Sequence, residues 1–347
     1  MTVSNTYSGK TASRLRSKQN EQLSILYKIE NILCSKRGYA FRMPKASTAV
    51  ILLLSGGMDS IISWAILMKK FRLRVYPVFL IRRELSEEKK EIDAIDYYSE
   101  IFKRKYVANY IAPHKMKIGM PEFSDMYRDL TGHLHPQVIL DNIFPDGSLK
   151  NNFSMGHFSL FPYLGFVYAK YLLAKENVRA YTIYCGTTFC DNSTYRTLTS
   201  SRSIMLTLGL LSGEDDWQYT SIAYEPTINS LLTKSDLIRW ASSEKIPLNK
   251  TWSCTKKKSL QCGKCLACLS RIGAFQEAKI DDLTLYNIEK QSFIGAIKQK
   301  AINRVKRAII YLGSRNKDEK IYDIQYKKSR KSNKYEQLGK SKVYLSV

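Results

Sequence analysis

Two short stretches of this 347-residue chain hold residues whose types and spacing can do chemistry. The first is Ser55-Gly56-Gly57-Met58-Asp59-Ser60. Two glycines let the backbone approach an anion with no Cβ in the way. Ser55 and Ser60 add hydroxyl donors, and Asp59 can hold Mg²⁺ or orient a hydroxyl. The second is Cys254, followed by Cys262-Gly-Lys-Cys265-Leu-Ala-Cys268. Two overlapping C-x-x-C steps form a knuckle, and Cys254 supplies a fourth thiolate. Four thiolates complete a tetrahedral zinc site with no open position, which makes it structural; an iron–sulfur cluster also takes four cysteines. Gly263 relieves the turn between ligands, and Lys256, Lys257, Lys258 and Lys264 offset the charge of a tetrathiolate.

The elements around these stretches can be read from their apolar patterns. Ala49-Val-Ile-Leu-Leu-Leu54 predicts a buried parallel strand, and Ile61 to Met68 a helix. A strand, a glycine turn and a helix start aim backbone N–H groups at a phosphate. Leu73 to Leu80 reads as a second strand, Glu84 to Lys105 as a surface helix, and Tyr106 to Ile111 as a third strand. Residues 113–156 read as a loop-rich insertion. It contains His114, His133 and His135, taken as scattered surface histidines in preference to metal ligands. Phe158 to Ala174 predicts a core helix interrupted or capped near Pro162. Ala180 to Cys185 is a fourth strand, ending in Gly186, small polar residues and Asp191, which is again binding-loop composition. A helix over Ser200 to Leu211, a fifth strand over Thr220 to Tyr224 and a helix from Leu232 to Ser243 follow. This alternation predicts an α/β fold with a parallel sheet covered on both faces and ligands beyond the strands' carboxyl ends.

Four regions are expected: a basic N-terminal extension (1–47) that begins as a flexible arm, a nucleotide domain (48–284) containing the zinc segment (251–271), a helical extension (285–312), and a basic tail (313–347). Lys and Arg number 55 against 31 Asp and Glu, a formal charge of +24 that calls for acidic partners. Much of the excess sits at the two ends. Seven cysteines, four of them clustered, favour a metal site in a reducing compartment over disulfides. Cys34, Cys185 and Cys190 read as buried small apolar residues. No apolar run approaches membrane-spanning length and the N-terminus lacks a signal-peptide core, so a cytoplasmic location is expected.

The string Ser-Gly-Gly-Met-Asp-Ser resembles the pyrophosphate (PP) loop of the N-type ATP pyrophosphatases, and lacks the Gly-Lys-Ser/Thr ending of a Walker loop. Four further features are Thr251-Trp-Ser-Cys254, the cysteine knuckle with Arg271 beyond it, Leu232-Thr-Lys-Ser-Asp236, and Gly186 with Asp191 to Tyr195. With these, residues 48–280 resemble the 7-cyano-7-deazaguanine synthase (QueC) family. The resemblance implies an adenine-nucleotide α-hydrolase-like sheet. It implies that ATP and Mg²⁺ adenylate 7-carboxy-7-deazaguanine, that ammonia makes the amide, and that a second ATP round makes the nitrile. It places ATP on Ser55, Gly56, Gly57, Met58, Asp59 and Ser60. It gives catalytic roles to Asp59, Ser60, Lys234 and Arg271, the last two as cations near phosphate or substrate. Gly186, Asp191 and Tyr195 would meet the deazaguanine or its carboxylate.

The chain also departs from the family. Ile61 stands where a Thr is usual. Leu80-Ile-Arg-Arg-Glu84 replaces Tyr-Gly-Gln, Gly156-His157 is the remnant of Gly-Arg-Asn, and Arg196-Thr-Leu-Thr199 replaces Pro-Asp-Cys-Arg. The ATP and metal halves are kept, while the base and ammonia end is altered. This pattern favours a ligase that transfers the acyl group to an amine on a protein partner, as relatives in antiviral systems do. The alternatives are the ammonia-using nitrile synthase and a tRNA-modifying pyrophosphatase, whose RNA the tail's lysines and tyrosines would suit.

Overall fold

The structure is a computed structural model that describes residues 7, 9–18, 20–81, 88–117, 155–191, 196–255 and 259–287. The chain divides into a unit of Met1–Tyr286 and a second of Asn287–Val347. The described residues belong to the first unit, Asn287 apart. The expected helix over Leu285–Tyr311 lies mostly outside the described residues, and the basic tail wholly so.

Six strands form one sheet: β1 (Ala49–Leu54), β2 (Arg74–Ile81), β3 (His114–Lys117), β4 (Thr182–Thr188), β5 (Gln218–Glu225) and β6 (Ser230–Leu231), in spatial order β3-β2-β1-β4-β5-β6. All neighbours are parallel except β5 and β6. Side chains of a strand alternate between faces, and β1 shows the consequence. Val50, Leu52 and Leu54 join one core with α3 (Met58–Lys69), α4 (Lys89–Lys105), α7 (Lys234–Ser243) and α8 (Leu266–Ala278). Ala49, Ile51 and Leu53 face α5 (Met155–Glu176) and α6 (Leu198–Ser212) on the other side. A strand buried on both faces needs the continuous apolar run that Ala49–Leu54 has.

The chain order β1, β2, β3 runs outward to one edge and then returns to β4 on the opposite side of β1. The connection reverses between β1 and β4, and at such a point the loops diverge and leave a crevice beyond the carboxyl ends. The Ser55–Ser60 turn follows β1 and the Gly186–Asp191 segment closes β4, so both binding-type loops open on that crevice.

α3 is buried along nearly its whole length, from Met58 to Met68 with Asp59 excepted. Trp64 anchors it, with no exposed surface, edge-on to Phe102 at 5.0 Å and stacked on Tyr110 at 6.0 Å. Each such aromatic pair contributes about 0.5–1.5 kcal/mol beyond its buried area. The first turn of α3 is therefore held on a rigid helix, with Asp59 on the side left open.

The third strand is not Tyr106–Ile111. Residues 107–109 form a turn, Tyr110 makes a single bridge to Val75, and the strand is His114–Lys117 against Val78–Ile81. Its sequence has little apolar character because it is the edge, and only pairing with β2 makes it a strand. The aromatic residues of 106–111 are spent under α3 and α4 instead. His114 stacks on Tyr168 at 4.9 Å, while His133 and His135 lie outside the described residues. The predicted break near Pro162 is absent: α5 runs through it, held by Phe161, Tyr163 and Leu164 packing on the sheet.

The N-terminal region is not a loose arm over its described length. α1 (Gly9–Arg16) and α2 (Leu23–Arg37) pack on α6 and β5 through Leu15 and Leu26, both fully buried. Glu30, Arg202 and Glu225 form an ion triad with no exposed side-chain surface. Arg202 reaches Glu30 at 2.9 Å and grips Glu225 at 2.7 and 2.9 Å. Burial works against its charge, but the carboxylates outweigh burial and hold it firmly protonated. The three isolated cysteines also depart from expectation: Cys34 and Cys185 are half-buried, and Cys190 is exposed in the turn after β4.

Candidate active site

Gly56 has φ +68, and a Cβ there would sit 2.6 Å from the Glu91 carbonyl oxygen. The turn therefore needs glycine twice over, for its left-handed backbone and for its contact with α4. Ser55 and Ser60 hydroxyls lie 3.0 Å apart, the Ser60 hydroxyl donates to the Gly57 carbonyl at 3.0 Å, and Gly57 N–H donates to Ser55 Oγ at 3.4 Å. Gly186 closes the other side: a Cβ on it would come within 3.0 Å of Ser60 N. The end of β4 thus lies directly against the start of α3.

Lys234 is the first residue of α7. Thr233 caps the helix by accepting from Asp236 N–H, and Asp236 accepts from Thr233 N–H, a reciprocal capping box. A lysine in the first turn opposes the helix dipole, and its side chain is only 16 % exposed. Two carboxylates compensate. Its ammonium donates to Asp59 Oδ2 and lies 3.6 Å from Asp191 Oδ1. Burial opposes the charge on Lys234, but Asp59 and Asp191 outweigh it and hold the lysine well above its ordinary range. Burial also opposes charge on Asp191, yet Lys234, Arg196 and two Thr188 donors keep its carboxyl below the usual value. At Asp59 burial is the larger effect and lifts the carboxyl, against the pull of Lys234. Asp59 Oδ1 is buried and accepts no hydrogen bond among the described residues. An orphaned buried carboxylate oxygen beside a second carboxylate suits a divalent cation.

The residues expected to act together divide into two groups. The structure brings Ser55, Gly56, Gly57, Asp59, Ser60, Gly186, Asp191 and Lys234 to one crevice. Met58 points into the core, 3 % exposed. Tyr195 lies outside the described residues. Arg271 stands elsewhere: it is 1 % exposed and bonds Thr251 Oγ1 at 2.5 Å, the Leu248 carbonyl at 2.8 Å, Thr284 Oγ1 at 2.7 Å and Asp282 at 3.2 Å. A cation with all these partners is committed to structure. It braces residues 248–251, and the next residue, Trp252, donates its N–H to the Gly56 carbonyl at 2.9 Å. This backbone link from the knuckle to the glycine turn has no signal in the sequence beyond the place of Trp252 in the Thr-Trp-Ser-Cys string. Arg196, noted only as a departure, reaches Asp191 at 3.2 Å.

Cys254, Cys262, Cys265 and Cys268 have all four sulfurs within 4.8 Å of one another, and Cys262 and Cys268 are 4.0 Å apart. A tetrahedral ion with metal–sulfur bonds of ~2.3 Å sets its ligands roughly 3.8 Å apart, so the sulfurs fit one metal ion. The N–H groups of Cys262 and Cys265 donate to Cys254 and Cys262 sulfurs at 3.3 Å, which favours thiolates. Gly263 takes the left-handed backbone (φ +67) that the turn requires.

The family model described as queuosine biosynthesis protein QueC matches residues 160–279. That stretch contains Gly186, Asp191, Lys234, Arg271 and the four cysteines, and the glycine turn precedes it. Three proteins named 7-cyano-7-deazaguanine synthase are similar. That of Campylobacter fetus is 33% identical over 117 residues, 33% of this chain and 49% of its own. That of Nautilia profundicola is 26% identical over 240 residues, 68% of this chain and 97% of its own. That of Picrophilus torridus is 27% identical over 257 residues, 68% and 91%. Over residues 160–279 the chain is similar to the QueC family. The match to the Campylobacter protein spans about half of that relative's length, whereas the other two are covered almost throughout. Among solved structures, a U34-tRNA thiolase from Methanococcus maripaludis with its [4Fe-4S] cluster aligns over 73% of this chain and 72% of its own. Its identity is 11% and its TM-score 0.30, a likeness too slight to bear on the chemistry. The glycine turn and the Lys234 carboxylate cluster share one crevice, and Gly186, Asp191 and Lys234 lie within the matched residues. No helix among the described residues is long and apolar enough to cross a membrane.

Proposed function

We propose that this chain is an ATP-dependent enzyme of the QueC type that adenylates the carboxylate of 7-carboxy-7-deazaguanine and passes the acyl group to an amine. One observation carries the reading: Lys234 and Asp59 are paired beside the Gly56–Gly57 turn, at the reversal point of the sheet. The naming of the relatives as 7-cyano-7-deazaguanine synthases supports it.

A substrate carboxylate oxygen attacks the α-phosphorus of ATP. The bond to the bridging oxygen breaks, and pyrophosphate leaves with its electron pair. The backbone N–H groups of the first turn of α3 and the Lys234 ammonium would stabilise that growing charge, where fixed donors are worth most. The amine nitrogen then attacks the acyl carbon, AMP departs with the carboxylate oxygen, and a proton is lost to solvent. Asp59 Oδ1 and the Asp191 carboxylate would hold Mg²⁺, whose charge neutralises the phosphates. The four cysteines would hold zinc, since a single ion fits their spacing and a cluster spreads its ligands over several irons.

The acceptor we favour is an amine of a protein partner in a defence setting. The +24 charge calls for an acidic macromolecule, and Arg196 now occupies the Asp191 carboxylate where the family carries a proline. Free ammonia giving the nitrile is the alternative. Mass spectrometry after incubation with ATP, carboxy-deazaguanine and either ammonium or the candidate protein decides. AMP, pyrophosphate and a protein of added mass are expected. ADP as product would overturn the adenylation, and a small nitrile alone would overturn the protein acceptor.

A further inference from the structure

Asp191 and Lys234 reach the crevice from different parts of the chain, and their spacing depends on how the two segments are tied. Phe189 N–H donates to the Leu232 carbonyl at 3.0 Å, the direct tie. The N-terminal region adds two more. Arg14 Nη2 donates to the Leu231 carbonyl at 2.8 Å, with its guanidinium 4.7 Å from the Phe189 ring centre. Lys18 Nζ donates to the Phe189 carbonyl at 3.2 Å and lies 3.7 Å from the Tyr224 ring centre. Leu231 is three residues before Lys234, and Phe189 two before Asp191. Beside them Glu21 accepts from Leu198 N–H at 2.9 Å and Thr199 N–H at 2.8 Å, fixing the start of α6.

Lys18 is only 7 % exposed, and among the described residues its ammonium meets a carbonyl and aromatic faces, with no carboxylate in hydrogen-bond contact. Burying an ammonium in this way is unfavourable, and a methionine would fill the volume more cheaply. Anchoring α1 does not require it, because Leu15 already does that. We propose that Arg14 and Lys18 are positioning residues, which cross-brace the Leu231 and Phe189 carbonyls and so set the spacing of Lys234 and Asp191. The inference rests on the reading that those two residues serve the adenylation.

The test uses the full chain carrying Lys18→Met, Lys18→Arg or Arg14→Met. Two quantities are measured: carboxy-deazaguanine-dependent AMP formation, and the Lys234–Asp191 separation in crystal structures of the variants, now 3.6 Å. Lys18→Met should lower kcat by about tenfold to a hundredfold with little change in the KM for ATP, as a small misplacement does. The separation should widen, and Lys18→Arg should restore most of both. Loss of melting temperature with kcat per folded molecule and separation unchanged would overturn the brace. Should Lys18→Met not fold, Arg14→Met is decided by the same two readouts. Should the wild type form no AMP, the functional reading fails and the separation alone decides the brace.

Discussion

Lys234 at the start of α7 and Asp59 in the first turn of α3 are 175 residues apart, yet the ammonium of one donates to the carboxylate of the other. Asp191 completes the cluster from the end of β4. Each of the three sits at the end of an element whose body is buried. The cluster therefore has little freedom to rearrange when charge develops beside it, which is what electrostatic catalysis requires.

Changing Lys234 to Met removes the ammonium that lies between Asp59 and Asp191. AMP formation should fall by about a hundredfold to a thousandfold, the scale for losing a single well-placed donor. Asp59→Asn should also lose activity, and should weaken the dependence on Mg²⁺ concentration, since Oδ1 is the oxygen left open. Steady-state kinetics against Mg²⁺ separates the two. Full activity in both variants would remove this cluster from the chemistry.

Gly56→Ala places a methyl group 2.6 Å from the Glu91 carbonyl oxygen in a backbone conformation that alanine resists. A cost of about 1–3 kcal/mol is expected for the backbone alone. The turn must shift away from α4, and ATP affinity, followed by calorimetry, should drop more than global stability. Gly38→Ala is the control: its φ is +83, but its Cβ would meet nothing within 4 Å. It should lower the melting temperature without affecting nucleotide binding.

The Trp252 N–H bond to the Gly56 carbonyl joins the cysteine knuckle to the glycine turn. Stripping the metal with a chelator should therefore weaken ATP binding as well as stability, although the link to the turn is made by Trp252 and not by the four metal-binding cysteines. Arg271→Met should do the same by another route. It leaves the largely enclosed Asp282 and Thr251 without their guanidinium partner, which should lower stability. Urea titrations give the stability and calorimetry the affinity. A metal-free protein that binds ATP normally would show the link to be passive.

Lys18 gives a pH dependence of definite sign. Burial lowers it from 10.5 to about 8, against the opposing pull of Glu21, Asp191 and Cys190. Between pH 8 and 10.5 the unfolded chain holds a proton that the folded chain lacks. Stability conferred by this group therefore rises with pH across that window and is flat below it. The urea midpoint of Lys18→Met, compared with wild type, should show the opposite relative trend: its advantage shrinks as pH rises. Parallel curves would mean that Lys18 titrates normally.

Local sequence was enough for the elements that carry the glycine turn and the knuckle. An apolar run that breaks into two glycines and resumes with helical spacing predicts a strand, a turn and a helix, and the cysteine spacing predicts a four-thiolate site, zinc or iron–sulfur, that only the sulfur distances narrow to one ion. The helix expected from Leu232 begins at Lys234, because the Thr233 capping box sets its first turn. The edge strand was not legible: His114–Lys117 has no apolar pattern of its own and becomes a strand only by pairing with β2. Nor was the fate of the charges. Lys234 and Arg271 look alike in sequence, but one meets carboxylates at the crevice and the other is enclosed by residues 248–284. The first N-terminal helix reads as a basic arm because the anchors of its end are contacts with residues 171 to 217 positions away. Residue type and spacing decide which chemistry the chain can attempt, because turns, caps and ligand knuckles are local. Which charges face the crevice and which are consumed as braces is decided by long-range packing, because a cation's role is set by the partners that burial leaves within its reach.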